Sequence, residues 1–485
     1  MEISTKAKTF RNIIYTGLGK GLTLLCVFVS SLVVARNLTP SDYGVVGFAG
    51  IIIGFLAQFG DMGVGNAVIR RPELHDHDID TAFTLKIVLS CVAFVLALCI
   101  APFAHRLFEH PATGNVIRIL ALNFLISTIG FVPQVVLTRE MNYRALMVPA
   151  VAGTVAQSVL VVALVLRGWS FWSVIVANVA ATLVSGAVLQ FAKRFPIRIH
   201  FDPKVAREYV QFGIPLFGTG VLVFLIFNLD NLLVGASMGS TKLGYYALAF
   251  TWGSFICGLL AGTVNNVLFP AFSAIQNDSA AVRRWYLKSV ELVAFIAVVT
   301  NAALFANAHF FLVTFLGKNT DKWLPAIFAL RILCVYGILR AVTEPLSPCL
   351  MAHGRTKTML YAALLAGGVE LALLLLALRS GRVEIVAGAV LIAYASQALV
   401  YLPFLRREFS VSFADIAAKV WPIVPAFGMG CLVTALLPSS FGASFITLAI
   451  RGLFTVSVVG LTHGSLSRFR FFHEVGGMIS QNFAR

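Results

Sequence analysis

Positively charged side chains lie within apolar stretches of the sequence, where water is scarce. Lys20, Arg118, Arg331 and Arg340 each interrupt a run of hydrophobic residues. A charge near the centre of a lipid bilayer costs from about 3 kcal/mol upward, so it needs a partner, a wet cavity or a path to the headgroups. Arginine pairs two phosphate oxygens at once, so these cations could bind an anionic group. We therefore treat them as candidate substrate-binding residues.

Each of these cations also has a structural interpretation. Lys20 lies about 10 Å into its segment, from which its long side chain could still reach the headgroups. Arg118 is close to a segment end, which favours the same arrangement. Arg331 and Arg340 point to nearly opposite helix faces, since their spacing in the sequence turns an ideal helix by an extra half turn. Arg340 has Glu344 one helical turn further on, so an ion pair between them is an equal alternative.

Acidic residues in or near apolar segments could neutralise these cations or carry a coupling ion, either a proton or sodium. They are Asp61, Asp230, Glu344 and Glu370. Asp230 is flanked by Asn228 and Asn231, which suits either a polar cavity wall or a buried hydrogen bond between helices. Asp61 is close to a segment end, so simple solvation is its alternative.

The overall composition is that of a membrane protein. Hydrophobic residues make up 59% of the 485, charged residues only 12%, and the mean hydropathy is +0.88. This apolar surface exceeds what a water-soluble core of the same length could bury. A span of roughly 20 apolar residues with its connection takes about 35 residues, which predicts about fourteen spans. We therefore predict an all-α polytopic membrane protein.

The predicted spans also give the chain an orientation. They lie near residues 13–35, 45–69, 83–104, 116–138, 146–166, 171–192, 213–237, 243–272, 288–316, 324–351, 357–378, 383–405, 418–437 and 443–463. Most of the 37 lysines and arginines then fall on one side, so the positive-inside rule predicts that both termini are cytoplasmic. The same rule accounts for the net charge of +16 without nucleic-acid binding.

The cysteines give no sign of a metal or redox site. The seven cysteines lie singly within predicted spans and show no CxxC spacing. We therefore predict no disulfide, no metal and no cofactor.

Two stretches 200 residues apart indicate an internal duplication. LTPSDYGVVGFA aligns with MGSTKLGYYALA, with Gly44 over Gly244, and each follows the first long helix of its half. Six spans per half make the repeats parallel, and in such transporters the substrate site is a central cavity between the lobes. The predicted domains are a first lobe of helices 1–6 (residues 1–192), a cytoplasmic interfacial linker (193–212), a second lobe of helices 7–12 (213–406), and helices 13 and 14 with a cytoplasmic tail (407–485).

Longer stretches resemble a known family. They are ARNLTPSDYGVVGFA after the first span, TAFTLKIVLS opening the third, VVLTREMNYRALMVPAV at the fourth-to-fifth turn, and NLDNLLVGASMGSTKLGYYALAFTWG followed by VNNVLFPAFSAIQND in the second lobe. With the MAHGRTK turn after the tenth span, they run in order from about Ile13 to Arg406. The sequence resembles the oligosaccharide flippases of the polysaccharide transporter group (Wzx and WzxC-like), within the multidrug/oligosaccharidyl-lipid/polysaccharide exporter superfamily.

The resemblance implies a flippase of the bacterial inner membrane. Such a protein moves an undecaprenyl-diphosphate-linked oligosaccharide from the cytoplasmic to the periplasmic leaflet by alternating access, for export of a surface or extracellular polysaccharide. Its partners would be the lipid-linked oligosaccharide, membrane lipids, and a polysaccharide polymerase with its export machinery. In this setting the diphosphate is the anion that Lys20 and Arg331 would hold from opposite lobes.

Other functions remain open from the sequence. A lipid II flippase or a multidrug exporter of the same superfamily would differ mainly in the cavity lining. A membrane glycan polymerase or glycosyltransferase is disfavoured, because the predicted periplasmic loops are short and carry no catalytic motif. We therefore predict that the protein is not an enzyme. A scaffold without transport would use the same helices to hold partners together.

Overall fold

Helices make up all the regular structure in the part of the chain that the computed structural model describes, which comprises residues 2–71, 73–108, 110–140, 142–195, 198–317, 320–437 and 444–467. The first helices are α1 (Glu2–Asn37), α2 (Pro40–Asp61), α3 (Val64–Arg70), α4 (Asp76–Phe108), α5 (Thr113–Ile126), α6 (Thr128–Arg139), α7 (Tyr143–Leu166) and α8 (Trp172–Ala192). A long helical segment follows, α9 (Pro203–Ile275).

The remaining helices are α10 (Ser279–Ala306), α11 (Ala308–Leu316), α12 (Thr320–Trp323), α13 (Ala326–Thr343), α14 (Leu346–Ala352), α15 (Thr356–Leu378), α16 (Val383–Phe409), α17 (Phe413–Val420), α18 (Ile423–Leu436) and α19 (Phe445–Leu466). The prediction of an all-α protein is confirmed.

The number of membrane spans differs from the predicted one. Within the described residues, 11 helical segments are long and apolar enough to cross a membrane, and the bent pair of α5 and α6 raises this to 12. The predicted count of about fourteen is therefore not confirmed. Two predicted spans account for the difference. Most side chains before Gly21 lie outside the described part of the structure, which leaves the apolar stretch Gly21–Asn37 of α1, and α9 counts as one segment although it contains two helices that meet at the non-helical Gly239. The multi-pass character of the chain is confirmed.

The chain divides into two compact units, residues 1–244 and residues 245–485. The first of the two helices within α9, which ends at Gly239, thus belongs to the first unit. The predicted lobes, linker and terminal helix pair are not tested by this division and stay predictions. The predicted cytoplasmic tail beyond residue 467 lies outside the described residues.

The predicted linker 193–212 contains the start of α9. Pro203 is the first helical residue, a position that suits its fixed backbone angle and missing N–H. Asp202 precedes it, and its carboxylate accepts the backbone N–H of Lys204 at 2.8 Å. This hydrogen bond lowers the pKa of Asp202, because it favours the charged form. Val205 is buried in a cluster with residues of α3, α4 and α6, so the start of α9 packs within the first unit.

A reciprocal contact joins the two repeated stretches within the first unit. A Cβ at Gly44 of α2 would overlap the backbone carbonyl oxygen of Ser240, and a Cβ at Gly244 would overlap that of Pro40. Pro40 and Gly44 occupy the same repeat positions as Ser240 and Gly244, so each repeat presents its glycine to the other. The hydroxyl oxygens of Ser41 and Ser240 are 2.8 Å apart at this contact. The two backbones approach this closely because neither glycine has a side chain.

A second close approach positions two helices of the second unit. Gly253 in the later part of α9 lies against α13, where a Cβ at Gly337 would overlap the carbonyl oxygen of Gly253. A Cβ at Gly253 would lie 2.7 Å from the backbone carbon of Leu333. Small residues of this kind allow helices to pack closely in membranes, where dispersion contacts replace the hydrophobic effect. This contact fixes the part of α9 that carries Phe250 and Cys257 beside α13.

Candidate functional site

Arg340 lies near the end of α13, one turn before the helix breaks. Thr343 is the last residue of α13, and α14 begins at Leu346. Pro345 lies between them and has no N–H with which to continue the helical hydrogen bonds. Such breaks in membrane helices are tolerated where neighbouring side chains or cavity water satisfy the freed backbone groups. A charged side chain and an interruption of the helical hydrogen bonds therefore occur together here, within one apolar segment, Ala326–Ala352.

Side chains from three helices surround the Arg340 guanidinium. Tyr336 and Glu344 lie one turn before and one turn after it on the chain, and the Glu344 carboxylate interacts with it electrostatically. Tyr394 of α16 and Cys257 of α9 also lie close to it. The side chain of Tyr336 is buried. We call Arg340, Tyr336, Glu344, Tyr394 and Thr343 the Arg340 cluster.

Two hydroxyl groups link α13 to α16 beside Arg340. The Thr343 hydroxyl donates to the carbonyl oxygen of Arg340 at 2.9 Å, and it lies 3.1 Å from the Tyr394 hydroxyl. Because a threonine hydroxyl has one hydrogen, which is already used, Tyr394 donates to Thr343. The phenol ring of Tyr394 is thereby held at the level of the helix break.

A row of neighbouring aromatic rings connects the Arg340 cluster to α9. The ring centroids of Tyr246 and Phe250 are 6.0 Å apart, those of Phe250 and Tyr336 are 5.7 Å apart, and those of Tyr336 and Tyr394 are 5.3 Å apart. Binding sites commonly combine aromatic surface with a few well-placed polar groups. Aromatic faces suit the apolar face of a sugar ring, while the hydroxyls and the guanidinium suit oxygen-rich groups. The cluster has the chemistry to bind a charged glycoconjugate.

The structure places Arg331 away from Arg340. Its guanidinium carbon lies 5.7 Å from the centre of the Phe305 ring on α10, and it interacts electrostatically with Cys431 of α18. The Nε atom of Arg331 is buried without a hydrogen-bond partner among the described residues. The two arginines thus face different neighbours, as their spacing predicts. A substrate role for Arg331 stays a prediction.

The two candidate cations of the first unit are separate from this cluster in the chain. Arg118 of α5 is exposed, and its Nη1 donates to Asn115 Oδ1 at 2.9 Å, one turn earlier on the same helix. The backbone of Lys20 lies in α1, but its side chain lies outside the described part of the structure. Their substrate roles stay predictions.

Asp61 is the last residue of α2, and Lys86 of α4 lies beside it. The ammonium of Lys86 donates to the carbonyl oxygen of Gly60 at 2.7 Å and lies 3.8 Å from Asp61. Helix ends leave carbonyls without intrahelical partners, and Lys86 satisfies one of them. Lys86 is 8% exposed, so these contacts hold its ammonium inside the fold. The Asp61 side chain is 63% exposed, so a coupling role for it stays a prediction.

The other candidate acids lie in two different units. Asp230 of α9 is 2% exposed, and its Oδ1 accepts the backbone N–H of Asn231 at 2.7 Å and the side-chain amide at 3.0 Å. Glu370 is half-buried in α15. Glu344 belongs to the Arg340 cluster. Buried carboxylates of this kind remain candidates for carrying a coupling ion.

Hydrogen bonds and an aromatic ring hold Arg451 of α19 against neighbouring helices. Its Nε donates to Asn307 Oδ1 at 3.0 Å, its Nη2 donates to the carbonyl oxygen of Thr434 at 2.9 Å, and its guanidinium carbon is 4.1 Å from the centre of the Phe310 ring. The sequence leaves a packing partner or a lipid headgroup open for this residue. The structure gives it packing partners on α11 and α18 and at the α10–α11 junction.

The uncharged members of the Arg340 cluster are missed by the sequence analysis. A search for charges within apolar segments does not nominate Thr343, Tyr336 or Tyr394. Helical spacing could have indicated Tyr336 and Thr343, because they lie one turn before Arg340 and one turn after it and so share its face of the helix. Only the packing of α16 against α13 brings Tyr394 to the same place.

The fold is shared with solved transport proteins. It is similar to the lipid II flippase MurJ in an inward closed conformation, with a TM-score of 0.77 and 12% identity, over 94% of this chain and 99% of that one. It is also similar to an inward-facing multidrug resistance transporter of the MATE family in the MOP superfamily, with a TM-score of 0.64 and 16% identity, over 79% and 94% of the two chains. These likenesses define a multi-pass helical membrane protein with a transporter fold.

The family follows from the sequence match. The model of the polysaccharide biosynthesis protein family matches residues 33–327, which is more than half of the chain, and the chain belongs to this family. It is 23% identical over 441 residues to the lipopolysaccharide biosynthesis protein WzxC of Escherichia coli K12, covering 86% of this chain and 85% of that protein. It is 24% identical over 372 residues to the succinoglycan biosynthesis transport protein ExoT of Rhizobium meliloti 1021, covering 75% and 74%. The resemblance predicted from the sequence motifs is confirmed.

Proposed function

We propose that the protein is a flippase that moves an oligosaccharide linked to undecaprenyl diphosphate from the cytoplasmic to the periplasmic leaflet of the bacterial inner membrane by alternating access. The observation that carries this proposal is the Arg340 cluster, a cation among hydroxyl and aromatic groups beside a proline that interrupts the hydrogen bonds of a membrane helix. Membership in a polysaccharide biosynthesis family supports a glycan as cargo. The printed names of WzxC and ExoT support export of a surface or extracellular polysaccharide.

In this proposal Arg340 binds the diphosphate and the aromatic residues contact the sugars. Glu344 holds the guanidinium while the site is empty, which limits the cost of a buried unpaired cation. An arriving diphosphate then replaces Glu344 as the partner of Arg340, since two phosphate oxygens match the fork of a guanidinium. We base the proposal on Arg340 rather than Arg331, because Arg331 lies among Phe305 and residues of the terminal helix pair.

Several finer features belong to the same proposal. The positive-inside rule supports a cytoplasmic location for both termini. Asp230 and Glu370 are the candidates for binding a driving proton or sodium ion, because each is at least partly buried within an apolar segment. A polysaccharide polymerase and its export machinery would receive the product on the periplasmic side.

The competing cargoes have different charge requirements. A cationic drug would be repelled by Arg340, whereas lipid II carries a diphosphate and would satisfy the same arginine. Of the two alternatives, the Arg340 cluster therefore argues against a multidrug exporter but not against a lipid II flippase. Complementation of a strain depleted of its lipid II flippase distinguishes the two, because the proposed cargo predicts no rescue of growth.

The test of the Arg340 cluster is polymer output in a strain that lacks its own oligosaccharide flippase. Losing a bidentate charge-assisted contact of about 1.5–3 kcal/mol should lower output with Arg340→Ala by about tenfold or more. Arg340→Lys keeps the charge without the fork and should give intermediate output. Arg379→Ala is the matched control, since Arg379 is exposed at the end of α15. Wild-type output from Arg340→Ala at equal membrane protein levels would remove the residue from the mechanism.

A further inference from the structure

Three potential metal ligands converge at the start of α4. They are His75, His77 and Asp78, and one ligand atom of each lies within 4.8 Å of the other two. The two imidazole rings are stacked, with centroids 5.4 Å apart and an interplanar angle of 22°. This group is separate from the Arg340 cluster, which belongs to the other compact unit.

The spacings approach those of a tetrahedral site. His75 Nδ1 lies 3.5 Å from Asp78 Oδ2, and His77 Nε2 lies 3.4 Å from Asp78 Oδ1. Bonds of about 2.0–2.2 Å around tetrahedral Zn²⁺ place neighbouring ligand atoms roughly 3.3 Å apart. Each imidazole nitrogen thus lies at about this distance from one of the two carboxylate oxygens. Both imidazoles are exposed, so they can rotate to bring their nitrogens around one metal ion.

The carboxylate itself lacks a full set of partners. The side chain of Asp78 is fully buried, and its Oδ1 has no hydrogen bond within the described ranges. Its Oδ2 accepts the backbone N–H of His75 at 3.0 Å, which fixes the orientation of the group. A buried carboxylate needs opposite charge to offset its lost hydration, and a divalent cation would add to the charge that Arg71 supplies. The buried, oriented oxygen therefore points to a cation between it and the two imidazoles.

The nearest competing cation is Arg71. Its Nη2 lies 3.2 Å from Asp78 Oδ1, while its Nη1 donates to Glu208 Oε2 at 3.0 Å. Arg71 is thus shared between two carboxylates and keeps Glu208 as a partner when a metal binds Asp78. Asp76 and Asp80 flank the group in the sequence, and their negative charge offsets the repulsion between Arg71 and a bound cation.

We propose that His75, His77 and Asp78 form a Zn²⁺ site with a water molecule in the fourth position. Two imidazoles and one carboxylate favour zinc and similar transition metals over Mg²⁺ and Ca²⁺, which prefer oxygen ligands. The proposal differs from the prediction of no metal, which considered cysteine spacing and not these histidines.

A bound metal would stabilise the contact between the start of α4 and the start of α9. The Tyr209 hydroxyl donates to the backbone carbonyl oxygen of Asp78 at 3.4 Å, and Glu208 holds Arg71 in the same region. Outer-shell contacts of this kind orient metal ligands and are part of the site. The metal has a structural role here and does not depend on the proposed flippase activity.

Zinc binding by the full-length protein tests this site. Protein without a histidine tag is stripped with a chelator and titrated with ZnCl₂ at pH 7.5 against a chromophoric competitor. We expect about one equivalent of tight binding, and a loss of affinity of about tenfold or more in His75→Ala/His77→Ala. Co²⁺ in the same site should give the intense visible absorption of a tetrahedral complex. MgCl₂ should not compete.

The control is His110→Ala/His309→Ala, which removes the same number of histidines elsewhere. This variant should bind Zn²⁺ as the wild type does. Both double variants alter residues that are at least partly exposed, so their melting temperatures without metal should match the wild type. Equal zinc affinity in the two double variants, or no stoichiometric binding by the wild type, would overturn the proposal. Since binding is measured directly, failure of the flippase proposal would leave this result unaffected.

Discussion

Two arginines on one helix have different environments. Arg331 and Arg340 of α13 are both half-buried and both lie in an apolar segment. Arg340 is close to Tyr336, Tyr394 and Glu344, whereas Arg331 lies near the Phe305 ring and α18. Depth in the membrane is therefore a poor guide to function, since it does not distinguish the faces of a helix. Whether an arginine within the membrane can bind a ligand depends on the side chains that surround its guanidinium.

Arg451 allows a prediction about stability at the scale of one residue. Arg451→Ala should lower the free energy of unfolding by about 1–3 kcal/mol, because it leaves Asn307 Oδ1 and the Thr434 carbonyl without their charged donor. The melting temperature of the detergent-solubilised protein measures this loss. Arg379→Ala, which removes an exposed arginine, should melt as the wild type does. An unchanged melting temperature for Arg451→Ala would contradict the structural role.

Helix ends and breaks position the groups that matter in this fold. Thr39 caps α2 in a reciprocal capping box with Asp42, which fixes the start of the helix at Pro40. Pro345 separates α13 from α14 beside the Arg340 cluster, whereas Pro215 and Pro270 lie within α9 without ending it. A proline in an apolar segment is therefore not enough to predict a break. Neighbouring packing decides which one breaks the helix.

The reciprocal glycine contact gives a prediction at the scale of the helix. Gly44→Ala should destabilise the protein by about 1–3 kcal/mol, because the new methyl group would overlap the Ser240 carbonyl oxygen and force α2 away. Gly50→Ala is the matched control on the same helix, since a Cβ there has no heavy atom within 4 Å. Thermal unfolding of both variants in detergent provides the comparison. Equal melting temperatures would show that the close approach is absent in the protein.

At the scale of the whole molecule, the charge distribution predicts the orientation of the chain. Ser380 follows α15 on the predicted periplasmic side, and Ser410 follows α16 on the predicted cytoplasmic side, and both are exposed. In a cysteine-free background, Ser380→Cys should react with a membrane-impermeant maleimide in spheroplasts of intact cells. Ser410→Cys should react only after the membrane is permeabilised. The reverse pattern would contradict the predicted cytoplasmic termini.

The sequence by itself determined the class of the protein and its family. Hydropathy is a local property, so apolar stretches predict helices in a membrane without knowledge of packing. The motifs from Ile13 to Arg406 likewise predict the family, because they are read in order along the chain. The aligned glycines Gly44 and Gly244 also mark the repeat before the structure shows them in contact.

Only the tertiary structure decided which side chains come together. Tyr394 reaches Thr343 because α16 packs on α13, and Lys86 reaches the Gly60 carbonyl because α4 packs beside the end of α2. These partners are far apart in the chain, and no periodicity or composition links them. A charge buried in a membrane protein must find a partner, but the sequence does not specify which one. That choice depends on how helices pack, so the Arg340 cluster emerges only from the fold.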